Sequence, residues 1–322
     1  MKIVVLDKQN FLSDFPEMPF ECSWKEYEDT NPEELIERLK DAEVVLTHKV
    51  ALNEHHFALL PKLKMISTNS TGYNTIDVSA ASRYGIVVCN IQNWCTNSVS
   101  EHILSFIFSL RRNLIPYHNA VRNGAWEKQA KGSYLIMYPP NKEIFGSTIG
   151  IVGYGTLGRH LETKAMALGM NVLLAERKGS EQTRPGYTPF SSVLKESDII
   201  VLLAPLNEQT YKMISAFEIN QMKGEALLIN CGRGGLVDEH DLANALQNGI
   251  IAGAACDVLE NEPPEASDPL LSYTGENLIL SSHIAFVSRD SISRNTEQIV
   301  DNILSYYSGR PKNVVNGIEA AP

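Results

Sequence analysis

Three side chains in this 322-residue sequence have the types needed to work together on a carbonyl beside a carboxylate: Arg233, Glu262 and His283. An arginine stays charged, and its planar fork makes paired hydrogen bonds to a carboxylate. A histidine exchanges a proton near neutral pH, and an adjacent carboxylate stabilises its charged form. Such a set could interconvert a 2-keto and a 2-hydroxy acid, provided that a hydride carrier lay against the reacting carbon. Taken singly, each residue has a plainer reading: a surface ion pair, a solvated loop acid, a structural histidine. Their shared placement argues otherwise. Arg233 follows the apolar run Ala226–Asn230, Glu262 follows Ile251–Cys256, and His283 follows Leu278–Ser281. All three runs read as strands, and in an open α/β sheet ligands bind beyond the carboxyl ends of strands.

The carrier has a signature of its own. Gly153-Tyr154-Gly155-Thr156-Leu157-Gly158 follows an apolar strand and opens a helical pattern. In such a loop the first glycine makes the tight turn and the second lets backbone approach a pyrophosphate. The third lets the helix pack closely on its strand. Free N–H groups at the helix start, here from Thr156 and Leu157, would face the negative charge. A glycine loop alone is weak evidence, but the next strand ends in Glu176, 18 residues after Gly158. A carboxylate there accepts from the adenosine ribose hydroxyls and repels a 2′-phosphate, which predicts NAD rather than NADP. Arg177 and Lys178 follow at once and would suit a 2′-phosphate if Glu176 turned away. Cys231, Gly232 and Asp257, at the same strand ends as the polar trio, are expected cofactor contacts.

The elements that must position these residues follow the α/β pattern. Short β runs at Lys2–Leu6, Val44–Thr47, Lys64–Thr68 and Ile86–Cys89 alternate with helical patterns at Pro32–Lys40, Asn53–Leu60 and Val78–Tyr84. This alternation predicts a parallel sheet with helices on its faces. A long helical stretch follows, with Ser98-x-x-Glu101 as a capping box and Asn123–Gly124 as its end. A loop through Pro139–Pro140 and Gly146 leads to a second β/α series. Its strands are expected at Thr148–Val152, Val172–Ala175 and Ile199–Leu203, besides the three named above. Helices are expected at Leu157–Leu168 and Glu239–Gln247. The last helix, Arg289–Tyr307, is expected to fold back onto the first domain.

Composition sets the bounds. Hydrophobic residues make up 43% of the chain and charged residues 20%, enough for a full core. The formal net charge of −10 disfavours nucleic acid and anionic membrane as partners. No apolar run is long enough for a transmembrane helix, and no CxxC pair occurs among Cys22, Cys89, Cys95, Cys231 and Cys256. Reduced thiols in the cytoplasm are the simplest account. His55–His56 lack a third ligand, so no metal is expected.

At these motifs the sequence resembles the D-isomer-specific 2-hydroxyacid dehydrogenase family. The likeness spans nearly the whole chain. It includes the Gly153–Gly158 loop, Leu228–Glu239, Asp257–Pro264, Ser282–Ala285, Ser70–Asp77 and Thr96–His102. The resemblance implies roles. Arg233 would orient the substrate, His283 would be the general acid/base, Glu262 would support its protonation, and backbone N–H groups at Thr71 and Gly72 would cradle the carboxylate. It also implies a homodimer and a fold. A Rossmann nucleotide domain, residues 99–286, would be inserted into a discontinuous flavodoxin-like substrate domain, residues 1–98 and 287–322. Both would be doubly wound parallel sheets. Within the family the chain looks most like members acting on hydroxypyruvate and D-glycerate, by Thr71–Asn74, Ser109–Trp126 and Leu173–Gly179. Phe286 stands where that group often has tryptophan. Glyoxylate, pyruvate/D-lactate or a bulkier keto acid are the alternative substrates. A reading from another class is an NAD(H)-sensing interaction protein on the same scaffold, since fold does not dictate function.

Overall fold

The computed structural model describes residues 1–128 and 141–318, so Pro139 and Pro140 lie outside the described residues. The chain divides into two compact units, Met1–Cys95 with Val287–Pro322, and Thr96–Phe286.

The first unit opens with β1 (Lys2–Val5), β2 (Ser23–Glu26), α1 (Leu35–Leu39) and β3 (Val44–Thr47). It continues with α2 (Glu54–Leu59), β4 (Met65–Thr68), α3 (Val78–Arg83) and β5 (Val87–Cys89). Its five strands are all parallel in the order β2-β1-β3-β4-β5. β3 and β4 are buried along their whole length, as strands covered on both faces must be. Val4, Leu6, Leu35, Leu39, Phe57 and Ile66 build its core. Strand β2 was not expected. Its Ser-Trp-Lys-Glu run has no buried residue, so an edge strand held by backbone pairing left no apolar pattern to read. At the point where strand order reverses, between β1 and β3, the buried Asp7 carboxylate accepts from the N–H groups of His48 and Lys49.

The second unit runs α4 (Thr96–Arg111), α5 (Leu114–Arg122), β6 (Thr148–Val152), α6 (Thr156–Ala167) and β7 (Asn171–Leu174). Then come α7 (Phe190–Glu196), β8 (Ile199–Leu202), α8 (Ala216–Ile219) and β9 (Leu227–Asn230). α9 (Glu239–Gln247), β10 (Gly253–Cys256) and β11 (Leu278–Leu280) complete it. The six strands pair in parallel in the order β11-β10-β9-β8-β6-β7. Beyond β7 a further strand survives as a single bridge between Ala175 and Thr188. Counting that bridge, the chain fills one side of β6 and then crosses to the other at β8, which is the doubly wound plan. α10 (Arg289–Tyr307) returns to the first unit and packs against β4.

One expected cap is not formed. α4 starts at Thr96, so Ser98 is already inside the helix. Its hydroxyl donates to the Ala285 carbonyl at 2.8 Å, and Glu101 pairs with Lys164 at 3.0 Å. The expected single stretch is also two helices, parted at Asn113, whose φ is 47°. Among the described residues no helix is long and apolar enough to cross a membrane.

Candidate functional site

The carboxyl ends of β9, β10 and β11 lie side by side in the sheet. Arg233 follows the first, Glu262 the second and His283 the third. The turn after β9 is framed by Asn230, whose side chain accepts from Gly232 N–H at 3.1 Å and donates to the Arg233 carbonyl at 2.9 Å. Cys231 and Gly232 are buried there, while Arg233 is exposed and its side chain donates, among the described residues, only to the carbonyl of Gly232. Burial and the nearby Asp257 push the Cys231 thiol well above its ordinary range, so it is no thiolate nucleophile.

His283 and Glu262 meet directly. Nδ1 of the imidazole lies 2.7 Å from Oε2 of the carboxylate, with each side chain a little over a third exposed. An ionised carboxylate only accepts, so this contact assigns the proton to Nδ1 and leaves Nε2 outward with no hydrogen bond among the described residues. His283 adopts a left-handed backbone, φ 55°, a conformation uncommon for non-glycine residues. The turn is held by Asp257. Its carboxylate, 2% exposed, accepts from Ile284 N and Ala285 N at 2.9 Å each and from the Ser281 hydroxyl at 2.5 Å. Its carbonyl accepts from His283 N at 2.7 Å. The expected cofactor contact at Asp257 therefore sits on a side chain already bound to the histidine turn. His102 closes the group, with Nε2 at 3.1 Å from the Ser281 hydroxyl.

The glycine loop joins β6 to α6. Gly153 has φ +103°, and a Cβ there would lie 2.5 Å from the backbone of Leu203 and Ala204, so the turn presses against the end of β8. A Cβ on Gly158 would meet the Gly153 carbonyl at 2.5 Å, whereas one on Gly155 would meet nothing within 4 Å. No side chain caps α6, so the first-turn N–H groups, those of Thr156 and Leu157 among them, are open. Open amides below open space fit a pyrophosphate.

Glu176 follows β7 as expected, but its carboxylate is fully engaged. It accepts from Arg177 N, from Arg184 N, and from Nε and Nη2 of Arg184 in a two-pronged pair, all at 2.8–2.9 Å. These bonds hold its pKa down at about 2. The Arg184 guanidinium also stacks 3.8 Å above the Tyr187 ring. Lys178 is turned elsewhere, to Glu218 at 2.8 Å and the Met213 carbonyl at 2.9 Å. Sequence reading missed Arg184 because it lies eight positions beyond Glu176 along a loop and no periodic pattern links them.

Thr71 and Gly72 belong to the first unit. Their N–H groups donate no hydrogen bond among the described residues, while the Thr71 carbonyl accepts from Asn90 at 2.9 Å. Of the discounted histidines, His56 caps α2, its Nδ1 accepting from Asn53 N at 3.2 Å. No group of three or more His, Cys, Asp or Glu that could hold a metal occurs among the described residues.

Comparison with known proteins adds to this geometry. Residues 104–285 match the family model described as D-isomer specific 2-hydroxyacid dehydrogenase, NAD binding domain. A glycerate dehydrogenase of Methylorubrum extorquens is 40% identical over 98% of this chain and 98% of its own. An NADPH-dependent glyoxylate/hydroxypyruvate reductase of Sinorhizobium meliloti, solved with citrate, superposes with a TM-score of 0.79 at 27% identity, covering 99% of each chain. A D-lactate dehydrogenase of Lactobacillus jensenii, solved with NAD+, gives 0.77 at 26% identity over 98% of this chain and 99% of that one.

The Asp257 contacts make a prediction. Asp257→Ala leaves two amides and a hydroxyl without their acceptor, so it should lower unfolding stability by about 2–5 kcal/mol. It should also speed hydrogen exchange at Ile284 and Ala285. Denaturant titration and exchange mass spectrometry read both, and unchanged exchange at those amides would show that the turn does not depend on Asp257.

Proposed function

Because this chain belongs to the D-isomer-specific 2-hydroxyacid dehydrogenase family, we propose that it interconverts hydroxypyruvate and D-glycerate, with the residues above in the roles their positions suit. The bound nicotinamide supplies or takes back a hydride at carbon 2 of the substrate. His283 does the proton work. With Nδ1 tied to Glu262, Nε2 points its proton at the carbonyl oxygen, and on oxidation the same nitrogen takes the hydroxyl proton. Glu262 stabilises the imidazolium before transfer. Arg233 pairs with the keto-acid end and polarises the carbonyl. Thr71 and Gly72 offer open amides to the carboxylate. The single observation carrying this reading is the 2.7 Å His283–Glu262 contact with Nε2 left open.

Hydroxypyruvate is favoured as substrate by the similarity to a glycerate dehydrogenase over nearly the full length of both chains. A spectrophotometric panel tests it: NADH and NADPH, each against hydroxypyruvate, glyoxylate, pyruvate and longer keto acids. Hydroxypyruvate should give the highest kcat/KM. Nucleotide binding without turnover of any acid would refute the enzyme and favour a nucleotide sensor. His283→Ala should cut kcat by roughly 100-fold or more while sparing NADH affinity, and surviving turnover would remove His283 as proton donor.

NADH is the proposed cofactor, because a 2′-phosphate would confront Glu176. Arg184 tempers that preference, since its fork cancels the carboxylate's charge and competes with the ribose hydroxyls for the same oxygens. Arg184→Ala should therefore widen the ratio of NADPH to NADH dissociation constants by about 10-fold, a difference of ~1.4 kcal/mol. Fluorescence titration reads the ratio, and an unmoved value would remove Arg184 from cofactor choice.

The thiols of Cys22, Cys89, Cys231 and Cys256 are free, which supports a reducing compartment such as the cytoplasm. A homodimer is supported by Phe108, Leu114, Ile115, Val121 and Trp126, large apolar side chains exposed along α4, α5 and the turn that follows. Sedimentation should give twice the mass of one chain, and a monomer at micromolar concentration would refute the dimer.

A further inference from the structure

Proton transfer makes no use of a buried carboxyl pair that lies against the Glu262 loop. Glu239 is the first residue of α9 and only 7% exposed. Its Oε1 accepts from the backbone N–H of Glu260 at 2.7 Å. It also shares a hydrogen bond with Asp268, itself 9% exposed. Asp268 is fixed in turn by the N–H groups of Leu270 and Leu271, at 2.8 and 3.2 Å. A buried acid beside other acids resists ionisation. Burial first, then the negative charges of Asp268 and Glu260, lift the Glu239 pKa to about 7, against the opposing pull of the Glu260 N–H. The neighbouring Cys256 thiol is pushed up to about 12 by burial and the same carboxyls.

The contact with Glu260 falls at a sensitive place. A Cβ on Gly234 would lie 1.9 Å from the Leu259 carbonyl carbon and 2.3 Å from Glu260 N. The turn carrying Arg233 and the loop carrying Glu262 thus pack backbone on backbone. One residue before Glu260, the Leu259 N–H donates to Oε1 of Glu262 at 3.1 Å, and Oε2 of Glu262 reaches His283. The Glu260 side chain is held on the other side, by the Tyr211 hydroxyl at 2.6 Å and Lys212 at 3.9 Å. Lys212 is shared with Asp238, at 3.0 Å.

We propose that Glu239 is a positioning residue for the acid/base pair: bridging the Glu260 N–H to Asp268, it braces residues 258–262 so that Glu262 meets His283. The proposal rests on the roles given to Glu262 and His283 above. A neutral acid is the right group for the place, because it accepts with one oxygen and donates with the other, whereas a carboxylate could only accept and would face Asp268 and Glu260 as a like charge. The brace is complete where Glu239 holds its proton. It weakens as pH rises through about 7, the direction required of a carboxyl whose folded pKa is raised.

The test compares Glu239→Gln, Glu239→Ala and Glu239→Leu in the full chain, with NADH affinity and melting temperature measured alongside turnover. Glutamine keeps an acceptor and a donor and cannot ionise. It should retain wild-type kcat and extend keto-acid reduction to higher pH. Alanine and leucine remove the brace. They should lower kcat by on the order of 10- to 100-fold, as misplaced catalytic groups do, and move the alkaline limb of the pH profile to lower pH with NADH affinity unchanged. Wild-type kcat and pH limb in the alanine or leucine variant would overturn the proposal, as would a glutamine variant as impaired as alanine. If neither apolar variant folds, glutamine decides alone: a limb moved upward supports the brace, and one unchanged or moved downward overturns it. A wild-type chain that turned over no keto acid would instead refute the enzyme reading, so the two failures are distinguishable.

Discussion

The carboxyl end of the second unit's sheet depends on a hydrogen-bond ladder that continues after its strands have stopped. Asp257 N–H donates to the Asn230 carbonyl, Ser281 N–H to the Cys256 carbonyl and His283 N–H to the Asp257 carbonyl. The first two bonds join a turn residue to the last residue of the neighbouring strand, and the third joins turn to turn. A parallel sheet supplies this cheaply, because all its strands end on the same side. The guanidinium, the carboxylate and the imidazole therefore issue from three adjacent turns whose spacing is set by main chain. Side chains only finish the arrangement, and Asn230 and Asp257 do so by satisfying amides that the turns would otherwise leave bare.

Charge is handled locally in a chain that is acidic overall. A formal charge of −10 would keep anionic ligands at a distance, yet the carboxylates nearest the two ligand regions are compensated. Glu176 is matched by Arg184 and Glu218 by Lys178, while burial lifts the Glu239 pKa to about 7. Arg233 is exposed among buried neighbours, with its charge still available. An exposed arginine with no ion pair among the described residues gives an acidic protein a place to receive an anion.

Most of the architecture was legible in the sequence because buried parallel strands are apolar along their length and the helices between them are periodic. Thr148–Val152, Glu239–Gln247 and Arg289–Tyr307 fall at the expected residues. Other features left no such mark. Ser23–Glu26 joins its sheet through backbone groups, which any side chains allow. Ser98 and Glu101 have the spacing of a cap, but the helix gains two residues in front of them, and partners at Ala285 and Lys164 take their polar atoms. At the proposed site, residue types and strand-end positions singled out Arg233, Glu262 and His283, and the structure brings Glu262 and His283 into contact. The pairing of Glu176 with Arg184 and of Glu239 with Glu260 was invisible, because both are settled by where loops come to rest. Nothing in a linear sequence scores a contact between two loops.

The lone bridge between Ala175 and Thr188 has a consequence for how such a chain diversifies. Where a full edge strand would tie residues 177–187 to the sheet, one backbone pairing marks the far end of the segment. Insertions, deletions or exchanges between those anchors leave the register of the other strands alone. This stretch can thus be rewritten by mutation almost independently of the turns that carry Arg233, Glu262 and His283, which sit on the opposite half of the same sheet.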